Sequence, residues 1–260
     1  MNNTLWTKEK AEAITRKGED AFFAQAPTAS LPYRRASPMA ERQIYKDVCT
    51  TMQESLPFGE ELNTLLEVPS LMPMAPRLML WSLVYGLAPQ RYLEIGTDAG
   101  GSAMIVLSAI RALGLADFRG ACIDPAFKLD AATRETLTER FCLLESKNNP
   151  DVLIEAGRYA DGLFDLILID GDHHYDYVLS DIMLAVPYLA SGGYLLLDDA
   201  ANVQVRDAIG YALTVTSLND GGWICRHSTG IEPPRAVESG PWQGQRMMES
   251  GLYLLHKPAV

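Results

Sequence analysis

Three apolar runs that each end in acids constrain this chain more than any other feature. Arg91-Tyr92-Leu93-Glu94-Ile95 leads into Gly96-Thr97-Asp98-Ala99-Gly100-Gly101-Ser102. Asp165-Leu166-Ile167-Leu168-Ile169 leads into Asp170-Gly171-Asp172-His173-His174. Gly192-Gly193-Tyr194-Leu195-Leu196-Leu197 leads into Asp198-Asp199. Short continuous apolar runs separated by helical stretches read as strands buried on both faces of a parallel sheet. Parallel strands end along one edge, and open α/β sheets bind ligands in the crevice there. The three turns are expected to converge on one site. The glycine-rich turn suits a nucleotide-like cofactor, and the two acidic turns suit a hard cation.

From residue 91 onward, strand and helix alternate. Strands are expected near 91–95, 119–123, 141–145, 165–170 and 193–198, and helices near 101–113, 130–139, 149–156, 174–188 and 203–216. Two more strands follow, at 223–227 and 251–257, around a segment at 228–250 rich in Gly, Pro, Ser and Arg. A loop of that length in a compact domain is commonly functional or mobile. Residues 1–88 read as a helical extension or lid, with helices expected from Thr7 toward Phe23, from Ser37-Pro38 through Met52, over Phe58–Leu66 and over Pro76–Leu87. Residues 89–260 are then the core. No internal repeat or low-complexity tract is visible.

Bulk properties narrow the partners. A net charge of −11 over 260 residues argues against nucleic acid, which needs concentrated Lys and Arg. The longest apolar stretch, Leu78 to Leu87, is too short to span a bilayer, so no membrane partner is expected. Cys49, Cys122, Cys142 and Cys225 form no CxxC pair, and three of them fall in expected strands as small buried apolar groups. Met1-Asn2-Asn3-Thr4 opens no basic-then-apolar leader, and a reducing cytoplasm is the expected location. The stripe Leu78, Leu80, Trp81, Leu83 and Val84 reads as core or as the contact of a homo-oligomer.

The glycines of the first turn allow a tight bend and a close ligand approach, and the helix after it offers free N–H groups. The plain structural reading is a strand-to-helix turn that needs glycine for its geometry. The dinucleotide spacing G-x-G-x-x-G is absent, so a dehydrogenase is disfavoured. Glu94-Ile95-Gly96 with Gly100-Gly101-Ser102 resembles the first motif of the class I S-adenosylmethionine-dependent methyltransferases. The strand-helix order from 91 to 257 is similar too, about two thirds of the chain. The resemblance implies a Rossmann-like seven-stranded α/β sheet, mostly parallel, with one antiparallel strand. It implies that Glu94, Gly96, Thr97, Gly100, Gly101 and Ser102 surround the methionine end of S-adenosylmethionine. It also gives Asp124, at the end of Cys122-Ile123-Asp124, the ribose hydroxyls; the plainer role is a turn or capping aspartate. The stretch Glu145-Ser146-Lys147-Asn148-Asn149 matches the family's adenine-holding segment poorly.

Carboxylates gathered at one edge repel unless protons or cations neutralise them, and oxygen-only ligands favour Mg²⁺, Mn²⁺ or Ca²⁺. The plainer alternative has Asp198 and Asp199 capping the next helix and Asp170 shaping its own turn. Ile169-Asp170-Gly171-Asp172-His173-His174-Tyr175 with Leu197-Asp198-Asp199 resembles the metal-dependent O-methyltransferases, in the branch of macrolide-sugar and cephalosporin-hydroxylase-like proteins. Catechol-type enzymes are more distant. The resemblance implies Mg²⁺ or another divalent cation on Asp170, Asp198 and Asp199, and His173 as catalytic base. Asp170 also sits on the cofactor side. Asp172 is expected to orient a histidine or to serve as an outer acid, and His174 to pack at a helix start. The expected acceptor is a small-molecule hydroxyl, of a sugar or natural product.

Three rivals stand beside this reading. One is a metal-independent methyltransferase acting on nitrogen or a carboxylate. Another is a non-catalytic protein that kept the fold. The third is an iron oxygenase, because His174-Tyr175-Asp176 matches the His-x-Asp part of a facial triad that His227 or His256 would complete. Trp242, Arg235 and Arg246 are candidates for acceptor contacts, and Met72 and Met74 for a cofactor wall or core.

Overall fold

The computed structural model describes residues 65, 67–70, 72, 74–226, 235–236, 246–247 and 251–259. The helices expected before residue 65, and His227 and Trp242, lie outside the described residues, as do most of the segment 228–250 and the side chains of Met74, Arg235 and Arg246.

Helix α1 (Met74–Leu87) leads into β1 (Arg91–Ile95), α2 (Gly101–Leu113), β2 (Arg119–Asp124), α3 (Ala131–Thr138) and β3 (Phe141–Glu145). Then come α4 (Pro150–Ala160), β4 (Phe164–Ile169), α5 (Tyr175–Ala185), β5 (Leu189–Leu197), α6 (Val203–Val215), β6 (Asn219–Arg226) and β9 (Gly251–His256). Between β6 and β9, the two-residue strands β7 (Arg235–Ala236) and β8 (Arg246–Met247) pair with each other. The main sheet has seven strands in the order β3-β2-β1-β4-β5-β9-β6. Only β9 runs antiparallel to its neighbours, β5 and β6.

Alternation decides which side chain meets which layer. Tyr92, Cys122, Leu166, Leu168 and Leu196 face α1 and α2 in one core. Leu93, Ile123, Ile167, Ile169 and Leu197 face α4, α5 and α6 in the other. The stripe on α1 belongs to the first core, with Leu80 and Val84 fully buried and Leu83 nearly so.

Local chemistry sets the helix starts. Asn149 accepts from the Asp151 and Val152 N–H groups ahead of Pro150, and Asp130 accepts from the Thr133 N–H. Helix α4 runs on to Ala160, past the expected 156, and two strand starts also differ from expectation. Strand β6 begins at Asn219, not 223, because Asn219-Asp220-Gly221-Gly222 reads as a turn while the register shift between Asp220 and Gly222 lets it pair as a bulged strand. Strand β5 begins at Leu189, ahead of Gly192-Gly193, across a similar shift opposite Phe164 and Leu166.

Candidate active site

The carboxyl edge of the sheet is stitched strand to strand. The Gly96 N–H donates to the Ile123 carbonyl, the Asp170 N–H to Ile95 and the Asp198 N–H to Ile169. Each turn therefore starts beside the end of its neighbour strand, and the three turns expected to meet do meet.

The first and second turns touch. At φ +88°, a Cβ added to Gly96 would lie 2.2 Å from the Asp170 carbonyl oxygen. Gly100, at φ +83°, is pressed by Leu129, and Gly101 by Ser70. All three glycines are required by protein neighbours, so their presence alone does not argue for a ligand.

Glu94 lies beneath this turn. It is fully buried and accepts from the Tyr92 hydroxyl at 2.7 Å and the Ser102 hydroxyl at 2.9 Å. Glu94 and Ser102 thus hold each other beneath the bend. Thr97 is buried as well. Burial pushes the Glu94 carboxyl up to about 7, against the Tyr92 and Ser102 hydroxyls that favour its ionised form. A folded-state value above the unfolded one means that the associated stability is full below about 4.5 and is lost as pH rises through about 7. The loss is about 3 kcal/mol, as an order of magnitude. Glu94→Gln is expected to remove that part of the decline, measured by equilibrium denaturation across the range; an unchanged pH slope would refute it.

Asp124 sits at the end of β2, buried, with Oδ2 accepting from the Thr97 and Asp98 N–H groups at 2.9 and 2.8 Å. Its Oδ1 accepts from the Ala126 N–H at 2.8 Å. The plainer role, shaping the turn, is therefore present in full. A carboxylate oxygen has two acceptor directions, so Oδ1 still has one for a ribose hydroxyl.

The acidic turns form one cluster. Ligand atoms of Asp170, His173 and Asp199 all lie within 4.8 Å of one another. His173 Nε2 is 3.2 Å from Asp199 Oδ2 and 4.0 Å from Asp170 Oδ1. Asp198 is buried next to them but outside that set, and its Oδ1 has no hydrogen-bond partner among the described residues. The capping alternative for this pair fails, because Asn202 caps α6 by accepting from the Gln204 N–H. Asp199 instead adopts φ +51°, a left-handed conformation that is uncommon outside glycine and concentrates at functional turns.

Burial raises the carboxyl of Asp170 well above the usual range, and Asp199 raises it further. Burial does the same to Asp198, with Asp170 and Asp199 adding to it. Burial raises Asp199 too, while His173 pulls it down. Acids held this way want a proton or a cation. Asp170 and Asp199 keep 25% and 23% of their side-chain surface open, so a small third partner has access. Two carboxylates and a partnerless buried oxygen nearby fit a divalent cation, with the His173 imidazole beside them.

Beside this cluster lies a group that the sequence did not announce. Asp181, on α5, accepts from Asn148 Nδ2 at 2.9 Å and comes within 3.4 Å of where a Gly171 Cβ would stand. Burial pushes its carboxyl up to about 6. The available signal was an acid among Val178, Ile182 and Ala185, the buried stripe of its helix. Asn148 belongs to the segment expected near the adenine. Asp172 takes the orienting role, with Oδ1 2.5 Å from His174 Nδ1 and accepting the His174 N–H at 2.8 Å. His174 thus sits at the start of α5, as expected. Among the described residues no iron triad assembles: His256 pairs with Tyr194, away from the edge where β5 ends at Leu197, Asp176 is exposed, and His227 lies outside the described residues.

Residues 93–200 match the family described as a methyltransferase domain. Over that stretch the chain is similar to methyltransferase domains. The match runs from β1 to the turn after β5, and so contains all three turns. The domain is 29% identical over 120 residues to the rhamnosyl O-methyltransferase of Mycobacterium tuberculosis (strain ATCC 25618 / H37Rv), covering 44% of this chain and 47% of that protein. The chain spans about half the length of the curated relatives it matches. Its fold is shared with the cofactor-bound Rv0187 from MTB, at 15% identity and TM-score 0.53 over 87% of this chain and 100% of that one. It is also shared with the O-methyltransferase TomG from Streptomyces achromogenes, a complex with SAM, at 14% identity and TM-score 0.50 over 94% and 99%. Among the described residues, no helix is long and apolar enough to cross a membrane.

Proposed function

We propose that this protein transfers the methyl group of S-adenosylmethionine to a hydroxyl of a small molecule, with a divalent cation on Asp170 and Asp199 and with Asp198 in support. One observation carries the reading. The glycine turn of a methyltransferase domain packs directly on the carbonyl of Asp170, an acid in a cation-sized cluster with His173 and Asp199. A methyl donor on the first turn and a metal on the other two would be neighbours. A sugar hydroxyl is the proposed acceptor, supported by the similarity to a rhamnosyl O-methyltransferase.

The chain's residues divide the work. Gly96, Thr97, Gly100 and Gly101 form the bend over which the donor lies, and Asp124 Oδ1 offers its remaining acceptor direction to the ribose. A bound cation supplies a lowered pKa and a fixed orientation for the acceptor hydroxyl. His173 Nε2, in the cluster, takes the hydroxyl proton as the new C–O bond forms and the S–CH₃ bond breaks. Asp199 Oδ2, 3.2 Å away, stabilises the imidazolium that results. The acceptor pocket and the cytoplasmic setting belong to the same proposal.

Titration with S-adenosylhomocysteine and, separately, with Mn²⁺ tests the two halves. S-adenosylhomocysteine is expected to bind the wild type and Asp199→Ala alike, while Mn²⁺ affinity falls at least about tenfold in the variant. Failure to bind S-adenosylhomocysteine would end the methyltransferase reading. Unchanged Mn²⁺ affinity, together with turnover indifferent to EDTA, would leave a metal-independent methyltransferase.

A further inference from the structure

Ahead of α1, carbonyls of the described residues 65, 68, 70 and 72 gather on one buried cation, Arg77. Arg77 is 7% exposed. Its Nε donates to the Met72 carbonyl at 2.7 Å, and its Nη1 to the carbonyls of Leu65 at 2.8 Å and Val68 at 3.3 Å. Its Nη2 donates to Ser70 at 2.6 Å. Residues 68–70 lie outside helix and strand; the Val68 carbonyl also accepts the Ser70 N–H, and the planar guanidinium fork adds donors to the Val68 and Ser70 carbonyls. A lysine, with one nitrogen and tetrahedral donors, cannot reach four carbonyls in that spread.

This clamp ends on the glycine turn. A Cβ on Gly101 would lie 2.2 Å from Ser70 Cβ and 2.9 Å from the Pro69 carbonyl oxygen. Gly101 is the first residue of α2, one before Ser102. Ser70 is only half-buried, so it stands at the rim of the bend and not deep in the core.

We propose that Arg77 is a positioning residue for the cofactor: by gathering the carbonyls of residues 65–72 it holds Pro69-Ser70 against Gly101 as the wall for the amino-acid end of the methyl donor. The inference rests on the proposed S-adenosylmethionine chemistry and adds to it a residue outside the matched region 93–200. Arg77 touches no reacting atom and acts through Ser70.

The test compares two probes by calorimetry in wild type, Arg77→Lys and Ser70→Gly. S-adenosylhomocysteine carries the amino-acid end, and 5′-methylthioadenosine lacks it. The expected result is an affinity for S-adenosylhomocysteine about tenfold weaker in Arg77→Lys and several-fold weaker in Ser70→Gly, with 5′-methylthioadenosine within about twofold of wild type in both. Equal weakening of both probes would make Arg77 a purely structural residue, and no weakening of either would remove the wall; each overturns the proposal. Ser70→Gly keeps the Arg77 bond to the Ser70 carbonyl and gives up only the Met72 N–H bond to Ser70 Oγ, so it decides the matter should Arg77→Lys not fold. If wild type binds neither probe, the methyltransferase reading itself falls and this inference with it. If wild type binds both and the variants do not discriminate, only this inference falls.

Discussion

Replacing Gly96 with alanine is expected to cost about 2–6 kcal/mol of stability, a large part of the ~5–15 kcal/mol that holds a typical domain together. Two causes add. At φ +88° an L side chain is strained, worth about 1–3 kcal/mol. The new methyl would also sit 2.2 Å from the Asp170 carbonyl oxygen and 2.5 Å from the Gly171 Cα. Both are backbone atoms, held by the Asp170 N–H bond to Ile95, so neither can swing aside, and overpacking adds about 1–3 kcal/mol. Gly114→Ala supplies the control. It has φ +65° but nothing within 4 Å of the added methyl, so it should cost only the backbone strain. Chemical denaturation of the two variants separates the causes. Equal losses would show that the first and second turns are not in contact, and would remove the observation on which the proposed function stands.

The second large effect falls on chemistry and not on folding. His173→Ala is expected to lower methyl transfer to a glycoside acceptor by about a hundred- to ten-thousandfold, the usual contribution of a positioned base. S-adenosylhomocysteine affinity should stay within about twofold, because His173 approaches Asp170 and Asp199 and not the glycine bend. Added imidazole should restore part of the rate. A variant that keeps more than a third of wild-type turnover would remove His173 from the reaction. A variant that loses S-adenosylhomocysteine binding instead would place His173 in the donor site.

Much of this architecture was legible before any coordinates. The strands ending at Ile95, Ile169 and Leu197 announced themselves because fully buried parallel strands must be apolar on both faces. The single antiparallel strand came with the family resemblance. What could not be read were the bulged starts of β5 and β6, where Gly192-Gly193 and Asn219–Gly222 look like turns until a partner strand pairs with them.

The site was legible in kind and not in arrangement. Asp170 and Asp199 were nameable as acids after strands, yet the third member of their cluster is His173, with Asp198 beside it. Neighbouring residues at a strand end point to different sides, and the left-handed turn at Asp199 decides which of the two joins the cluster. The family resemblance implied ligand contacts for Glu94 and Ser102, and only the fold shows that they also hydrogen-bond each other. Asp181 left only the faint signal of an acid on a buried helix stripe, and Arg77 left none. Each draws its role from carbonyls, amides or glycines far along the chain, as Arg77 does through Leu65 twelve residues away and Asp181 through Asn148 thirty-three residues away.

The sequence by itself determined the layers, the strand edge and the residue types gathered there, because hydrophobic periodicity and turn chemistry are local properties of the chain. Tertiary structure alone decided which acids share a cluster, which glycines are filled by protein and which cation holds the segment before α1. Those outcomes depend on distances across strands and between layers, and no local pattern encodes them.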